Sequence, residues 1–183
     1  MSELRVENVI AASHIGKEVE LIRLATELPK ARYSGSGNPS VIVDINAGSN
    51  KRAAGIIFGN GKLQITGVTS LKEGRKLMIN LKKMVKNIDS KVKLKSAIKV
   101  ENVVAKADLG NTLNLQSIAL ATPGSEYDLA RFKGLVIRIK EPLSSFILFQ
   151  SGIVIVTDVI SEAKAKKALL YLENFLKGIG ALA

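Results

Sequence analysis

The 183-residue chain carries 27 Lys and Arg against 16 Asp and Glu, a formal net charge of +11, with 46% hydrophobic residues and no cysteine. Such a length and apolar content suit one or two small globular domains with a real core, and the lack of cysteine excludes disulfides, thiol catalysis and zinc fingers. A sequence pI of about 9.9 favours a nucleic-acid partner over a merely solubilising surface.

In chain order, residues 4–13 alternate like a strand, and VELIRLATEL at 19–28 reads as a short helix stopped by Pro29. A weak strand is expected around Tyr33. The stronger strands VIVDI, AGIIF and KLQIT follow, the last two joined by a tight turn at Gly61. A helix over about 70–88 has an apolar stripe of Leu77, Leu81, Met84, Val85 and Ile88 among lysines and arginines. The same series then begins again. Residues 98–107 form a strand, and LNLQSIALA is a helix stopped by Pro123. The stretch near Tyr127 is again a weak strand, followed by LVIRIK, SFILF and IVIVT, with a turn at Gly152 and a helix over about 161–178.

The series recurs because the sequence does. VENVIA at 6–11 meets VENVVA at 100–105, an offset of 94 that also pairs Gly16 with Gly110, Leu21 with Leu115, Ala25 with Ala119, Pro29 with Pro123 and Tyr33 with Tyr127. From Phe58 and Phe149 onward the offset is 91, so the first copy holds three extra residues within NAGSNKRAA, opposite KEPLSS. Two repeats, 1–93 and 94–183, are expected to form one domain. Helices can cover only one face of each sheet, yet both faces are largely apolar. Val9, Ala11, Leu63 and Ile65 oppose Asn8, Ile10, Gln64 and Thr66. Val103, Ala105, Val154 and Val156 oppose Asn102, Val104, Ile155 and Thr157. An apolar sheet face left open is normally a binding surface.

Chemistry-bearing clusters are missing. His14 is the one histidine, and no metal-ligand cluster, nucleophile elbow or phosphate-binding loop is present, GSGNPS lacking the lysine and strand–helix setting of the last. No enzyme activity, cofactor or metal is expected. No run of about 18 apolar residues offers a membrane span, and MSELRVENVI does not resemble a signal peptide. A soluble, cytoplasmic protein is the expectation.

RFKGLVIRIKEPLSSFILFQSG at 131–152, with VENVVAKADLG and YDLARF, resembles the second repeat of TATA-binding proteins of the archaeal type, and the likeness extends over nearly the whole chain. The resemblance implies an α+β, pseudo-two-fold saddle: two repeats, each a curved antiparallel five-stranded sheet with two helices on the convex face. It also implies a general initiation factor that binds and bends A·T-rich promoter DNA through the minor groove, a habit for which this family is itself the standard case. On that likeness Ile10, Ile56, Val104, Ile147 and Ile155 line the groove floor. Phe58, Phe132 and Phe149 wedge between bases, and Asn8 and Asn102 donate to base acceptors. Thr66 and Thr157 flank them, while Lys62 and Arg138 meet phosphates. Phe58 and Phe149 as core aromatics, Asn8 and Asn102 as turn residues, and the Lys-rich helix face from Lys72 to Lys86 as solvated surface remain the plainer alternatives. The resemblance further implies a transcription factor B-like partner and an association with the nucleoid; an open sheet face also permits a homodimer without DNA.

The first copy departs from the pattern. Asn38 stands opposite Phe132, Asp44 opposite Arg138, and Gln64 replaces an apolar residue. One wedge is therefore missing and a carboxylate stands where a phosphate-binding cation is expected, with Lys51 and Arg52 in the lengthened loop as candidate replacements. In the second copy Ala130 and Arg131 occupy places where the family is acidic, which puts docking of factor B in doubt, and Asp158 replaces a glycine. These departures leave open a divergent paralogue that binds DNA weakly and acts through contacts with the initiation machinery.

Overall fold

The computed structural model describes residues 2–47, 51–141 and 143–182. Two compact units are distinguishable: Asn8–Glu101 is one, and the chain up to Glu7 together with the stretch from Asn102 onward is the other. Both are α+β, with antiparallel strands and four helices in total among the described residues.

The first unit uses β1 (Leu4–His14) from Asn8 onward, α1 (Leu21–Glu27), β2 (Ala31–Ser34), β3 (Ser40–Ala47), β4 (Lys51–Phe58), β5 (Lys62–Val68) and α2 (Leu71–Ile88), with strands in the order β2-β3-β4-β5-β1. The second uses β6 (Lys99–Asp108) from Asn102 onward, α3 (Leu115–Ala121), β7 (Leu135–Ile139), β8 (Ser144–Leu148), β9 (Ile153–Val159) and α4 (Glu162–Gly178), in the order β6-β9-β8-β7. Every paired strand within a unit runs antiparallel.

One expected strand contracts. The stretch near Tyr127 forms a single bridge, Glu126 to Val136, where the first copy has the four-residue β2. The cause is local. The Asp128 carboxylate accepts the Ala130 N–H at 3.0 Å, and the Asp128 carbonyl accepts the N–H groups of Arg131 and Phe132, so the chain curls instead of extending.

Caps start the long helices where the sequence places them. Ser70 accepts the Glu73 N–H at 3.2 Å and Ser161 accepts the Lys164 N–H at 3.2 Å. Turn glycines close the hairpins. Gly61 and Gly152 hold φ of +86° and +88°, and a Cβ on either would stand 2.0 Å from the Lys17 carbonyl oxygen or 2.3 Å from that of Asn111. No other residue fits there.

Alternation sends one face of each sheet inward. In the first unit Val9, Ala11, Val41, Val43, Ile57, Leu63 and Ile65 are buried with Leu77, Met78, Leu81 and Val85 of α2. In the second, Val103, Ala105, Phe146, Leu148, Val154 and Val156 are buried with Ala165, Ala168, Leu169, Leu172 and Leu176 of α4. The helix stripe differs in detail from the expected one. Met84 and Ile88 are half-buried, and Met78 and Lys82 take their places inside.

Candidate nucleic-acid interface

Residues directly opposite across an antiparallel ladder share a face, so the register assembles the uncovered face one row at a time. In the first unit one row runs Arg32, Ile42, Ile56, Gln64, Ala12, and a second runs Asp44, Ala54, Thr66. Ser40 pairs with Phe58 in a third. In the second unit the corresponding rows are Glu126, Val136, Ile147, Ile155, Lys106 and then Arg138, Ser145, Thr157. Ile10, Ile56, Phe58 and Thr66, like Val104, Ile147, Phe149, Ile155 and Thr157, are half-buried, whereas their sequence neighbours are fully buried on the other face for most of these positions. Each unit therefore presents a mainly apolar surface that no helix among the described residues covers.

A bulge punctuates each surface. Between the pairs Val9–Val68 and Ala11–Ile65, two residues of β5, Thr66 and Gly67, oppose the single residue Ile10. Thr157 and Asp158 oppose Val104 in the same way. An asparagine serves each bulge. Asn8 Oδ1 accepts the Gly67 N–H at 2.8 Å, and its Nδ2 donates to Thr66 Oγ1 at 3.0 Å. Asn102 Oδ1 accepts the Asp158 N–H at 3.0 Å, and its Nδ2 donates to Thr157 Oγ1 at 3.0 Å. A backbone N–H can only donate, so it fixes which end of each amide is oxygen. One Nδ2 hydrogen is then spent on threonine and the second is left over. The asparagines thus hold the bulge and also present a donor of fixed direction.

The aromatic residues are distributed unequally. Phe132 and Phe149 meet edge to face, centroids 5.9 Å apart and planes at 73°. Phe132 lies over Gly134, where a Cβ would come within 2.6 Å of its ring and 2.9 Å of Ile147. Phe132 remains 45% exposed, a large apolar ring held in place yet open to solvent. In the first unit Phe58 stands with Ser40 opposite, and Asn38 is exposed.

Both cations expected at phosphates are paired with carboxylates. Lys62 Nζ lies 2.7 Å from Glu101 Oε1, and Gln64 Nε2 donates to Glu101 Oε2 at 2.5 Å. Burial alone would raise the Glu101 pKa, but the bonds from Lys62 and Gln64 outweigh it and hold the carboxyl below its usual range. Arg138 pairs with Glu126, and Asp44 with Arg32. Lys51 and Arg52 belong to β4 rather than to the loop, and their side chains lie outside the described residues.

Sequence reasoning passed over Glu101 and Lys106. Lys106 is exposed beside Ile155 and has no ion-pair partner among the described residues. Its parity with Asn102 and Val104 was the signal available. Glu101 could not be found so easily, because its partners Lys62 and Gln64 lie far from it in the sequence.

A family model described as "Transcription factor TFIID (or TATA-binding protein, TBP)" matches residues 3–88 and 97–179. The TATA-box-binding protein of Pyrococcus furiosus is 32% identical over 180 residues, covering 98% of this chain and 93% of that protein. That of Archaeoglobus fulgidus is 32% identical over 182 residues, 98% of each. The solved structure of Methanococcus jannaschii TBP superposes with a TM-score of 0.80 at 33% identity, covering 96% of this chain and 99% of that one.

Proposed function

Because the chain belongs to the TATA-binding protein family, we propose that it is a general transcription initiation factor that binds A·T-rich promoter DNA through the minor groove and bends it. The family consists of DNA-binding transcription factors rather than enzymes, and the proposal requires no cofactor. It reads 1–93 and 94–183 as twin repeats of one DNA-binding domain.

The observation that carries the reading is the repeated asparagine–threonine bulge on an apolar face. The remaining amide hydrogen of Asn8 or Asn102 suits the acceptors that A·T pairs present in the minor groove. A G·C pair adds an amino donor there, and donor would meet donor. Ile10, Ile56, Val104, Ile147 and Ile155 supply an apolar floor against sugars and base edges, with Thr66 and Thr157 flanking the amides. Phe149 with Phe132, and Phe58 alone, are stiff enough to replace stacking lost at an opened base step. Lys62 and Arg138 are phosphate contacts in this reading, released from Glu101 and Glu126 on binding.

Energy transfer between dyes on the ends of an A·T-rich duplex tests the proposal. The protein should bring the ends together, a G·C-rich duplex should compete poorly, and Phe149→Ala should bind with a smaller end-to-end change. An A·T duplex that stays straight at saturating protein would overturn bending.

Asn38 in place of a wedge and the neutralised cations favour a second reading, a divergent paralogue with weak DNA binding that acts through protein contacts. A transcription factor B-like partner belongs to either reading. The Asp128 carboxylate is engaged with the Ala130 N–H and lies 3.9 Å from Arg131, which leaves that region less acidic for docking. Capture of initiation factors without DNA would favour the second reading. Among the described residues no helix is long and apolar enough to cross a membrane, and a DNA-binding role puts the protein with the nucleoid in the cytoplasm.

A further inference from the structure

We propose that Arg32 is the phosphate-contacting cation of the first repeat, in place of the arginine that the second repeat carries at residue 138; the inference rests on the minor-groove reading above. The observation is an ion pair reversed between the copies. At the offset of 94, Arg32 corresponds to Glu126 and Asp44 to Arg138. Arg32 Nη1 lies 3.8 Å from Asp44 Oδ1, and Arg138 Nη1 bonds Glu126 Oε1. Each copy thus places one arginine and one carboxylate at the same two sites, with the signs exchanged.

Register puts both members on the uncovered face. Arg32 lies opposite Ile42, which continues to Ile56 and Gln64, and Asp44 lies opposite Ala54, which continues to Thr66. Exchanging the members of an ion pair moves the positive end by about the length of the pair. The first copy therefore keeps a guanidinium close to the position that Asp44 alone would deny it. The pair is not needed to hold the fold. Its side chains are 65% and 54% exposed, and exposed pairs of this kind add little stability. At 3.8 Å it is also looser than the Arg138–Glu126 pair, so the planar guanidinium is readily turned towards an incoming phosphate, two of whose oxygens it can meet in a two-bond contact.

The test is the salt dependence of binding to an A·T-rich duplex by the full chain, measured by fluorescence anisotropy across a series of chloride concentrations. Each phosphate neutralised contributes about 0.9 to the slope of log K against log salt. Arg32→Ala should lower the slope by about that amount and weaken binding equally on A·T-rich and G·C-rich duplexes, as Arg138→Ala should. Asp44→Ala should strengthen binding. The double exchange Arg32→Glu with Asp44→Arg, which copies the order of the second repeat, should restore the slope, with thermal melts of all variants matching the parent. An Arg32→Ala slope equal to that of the parent, while Arg138→Ala lowers it, overturns the assignment and leaves DNA binding intact. A parent protein that binds neither duplex removes the minor-groove reading itself.

Discussion

Lys30 and Asp158 hold φ of +55° and +60°, a region that L-residues adopt reluctantly. The repeat explains what is unusual about them. At Lys30 the second copy has Gly124 with φ +82°, and at Asp158 the first copy has Gly67 with φ +81°. Each copy has a glycine where the other has none. Lys30 is exposed, and its carbonyl accepts the Asp44 N–H at 3.2 Å, a bond that glycine keeps. Relief of about 1–2 kcal/mol in the backbone, offset by about 0.5–1 kcal/mol of lost chain entropy, leaves Lys30→Gly slightly more stable. Thermal melts should place it about 2–3 °C above the parent; an unchanged or lowered midpoint refutes the accounting. Asp158 differs because its carboxylate accepts the Ser145 hydroxyl at 2.6 Å. Asp158→Ala keeps the unfavourable φ and loses that bond, so it should lose about 1–2 kcal/mol. Asp158→Gly recovers the backbone term and should melt above the alanine variant. Equal midpoints for the two would mean that the backbone at this bulge carries no penalty.

At the scale of elements, the strands were legible because a period of two survives any ignorance of tertiary structure. Val9 and Ala11 against Asn8 and Ile10 sort inward and outward as the alternation requires. What escaped depended on register and on neighbours distant in the sequence. The bulge at Thr66–Gly67 and the reach of Lys62 and Gln64 to Glu101 are of this kind. So is the Arg32–Asp44 pair, since Asp44 was legible as a misplaced carboxylate but its partner on β2 was not. The bond that curls residues 128–132 similarly removed a strand that the repeat alone predicts. The most consequential miss is Lys82 on α2. Among the lysines of that helix it reads as surface, yet it is 1% exposed, its ammonium donating to Ser96 Oγ at 2.6 Å and to the Leu94 and Ser96 carbonyls at 3.4 Å. Ser96 Oγ also meets Ser13 Oγ at 3.0 Å and the His14 carbonyl, so the ammonium fastens the segment after α2 against β1. Burial pushes the Lys82 pKa down. The unfolded chain therefore binds more protons at any pH between that lowered value and the ordinary lysine value of 10.5. The contribution of this group to stability is unfavourable below the window and improves as pH rises through it. Lys82→Met deletes the effect while keeping the apolar stem. The parent melting temperature minus that of the variant should increase between roughly pH 7 and pH 10, and a difference that stays flat shows that Lys82 does not titrate abnormally.

For the whole molecule the two candidate surfaces and the charge of +11 act on different associations. Binding to DNA gains from the charge, because cations that neutralise phosphates release counterions, and added salt weakens it. Self-association through the apolar faces runs the other way. Two copies carrying the same net charge repel, and the repulsion is felt over about 10 Å at 0.1 M salt and about 3 Å at 1 M. The residues that would be buried in such a dimer are Ile10, Ile56 and Phe58 in one unit and Val104, Ile147, Phe149 and Ile155 in the other, the same ones that would line the groove floor or wedge between bases in the DNA reading. A homodimer built through these faces would therefore exclude DNA, and the two associations would respond oppositely to salt. Sedimentation velocity on the free protein should find the dimer fraction rising from roughly 0.1 M to 1 M salt, while anisotropy on an A·T-rich duplex finds affinity falling over the same range. Adding duplex at low salt should dissolve the dimer in proportion to the DNA bound. Phe149→Asp puts a charge on the shared surface and should suppress both associations together. A dimer that persists with DNA bound, or that survives Phe149→Asp unchanged, must use another face, and dimer and DNA would then not compete.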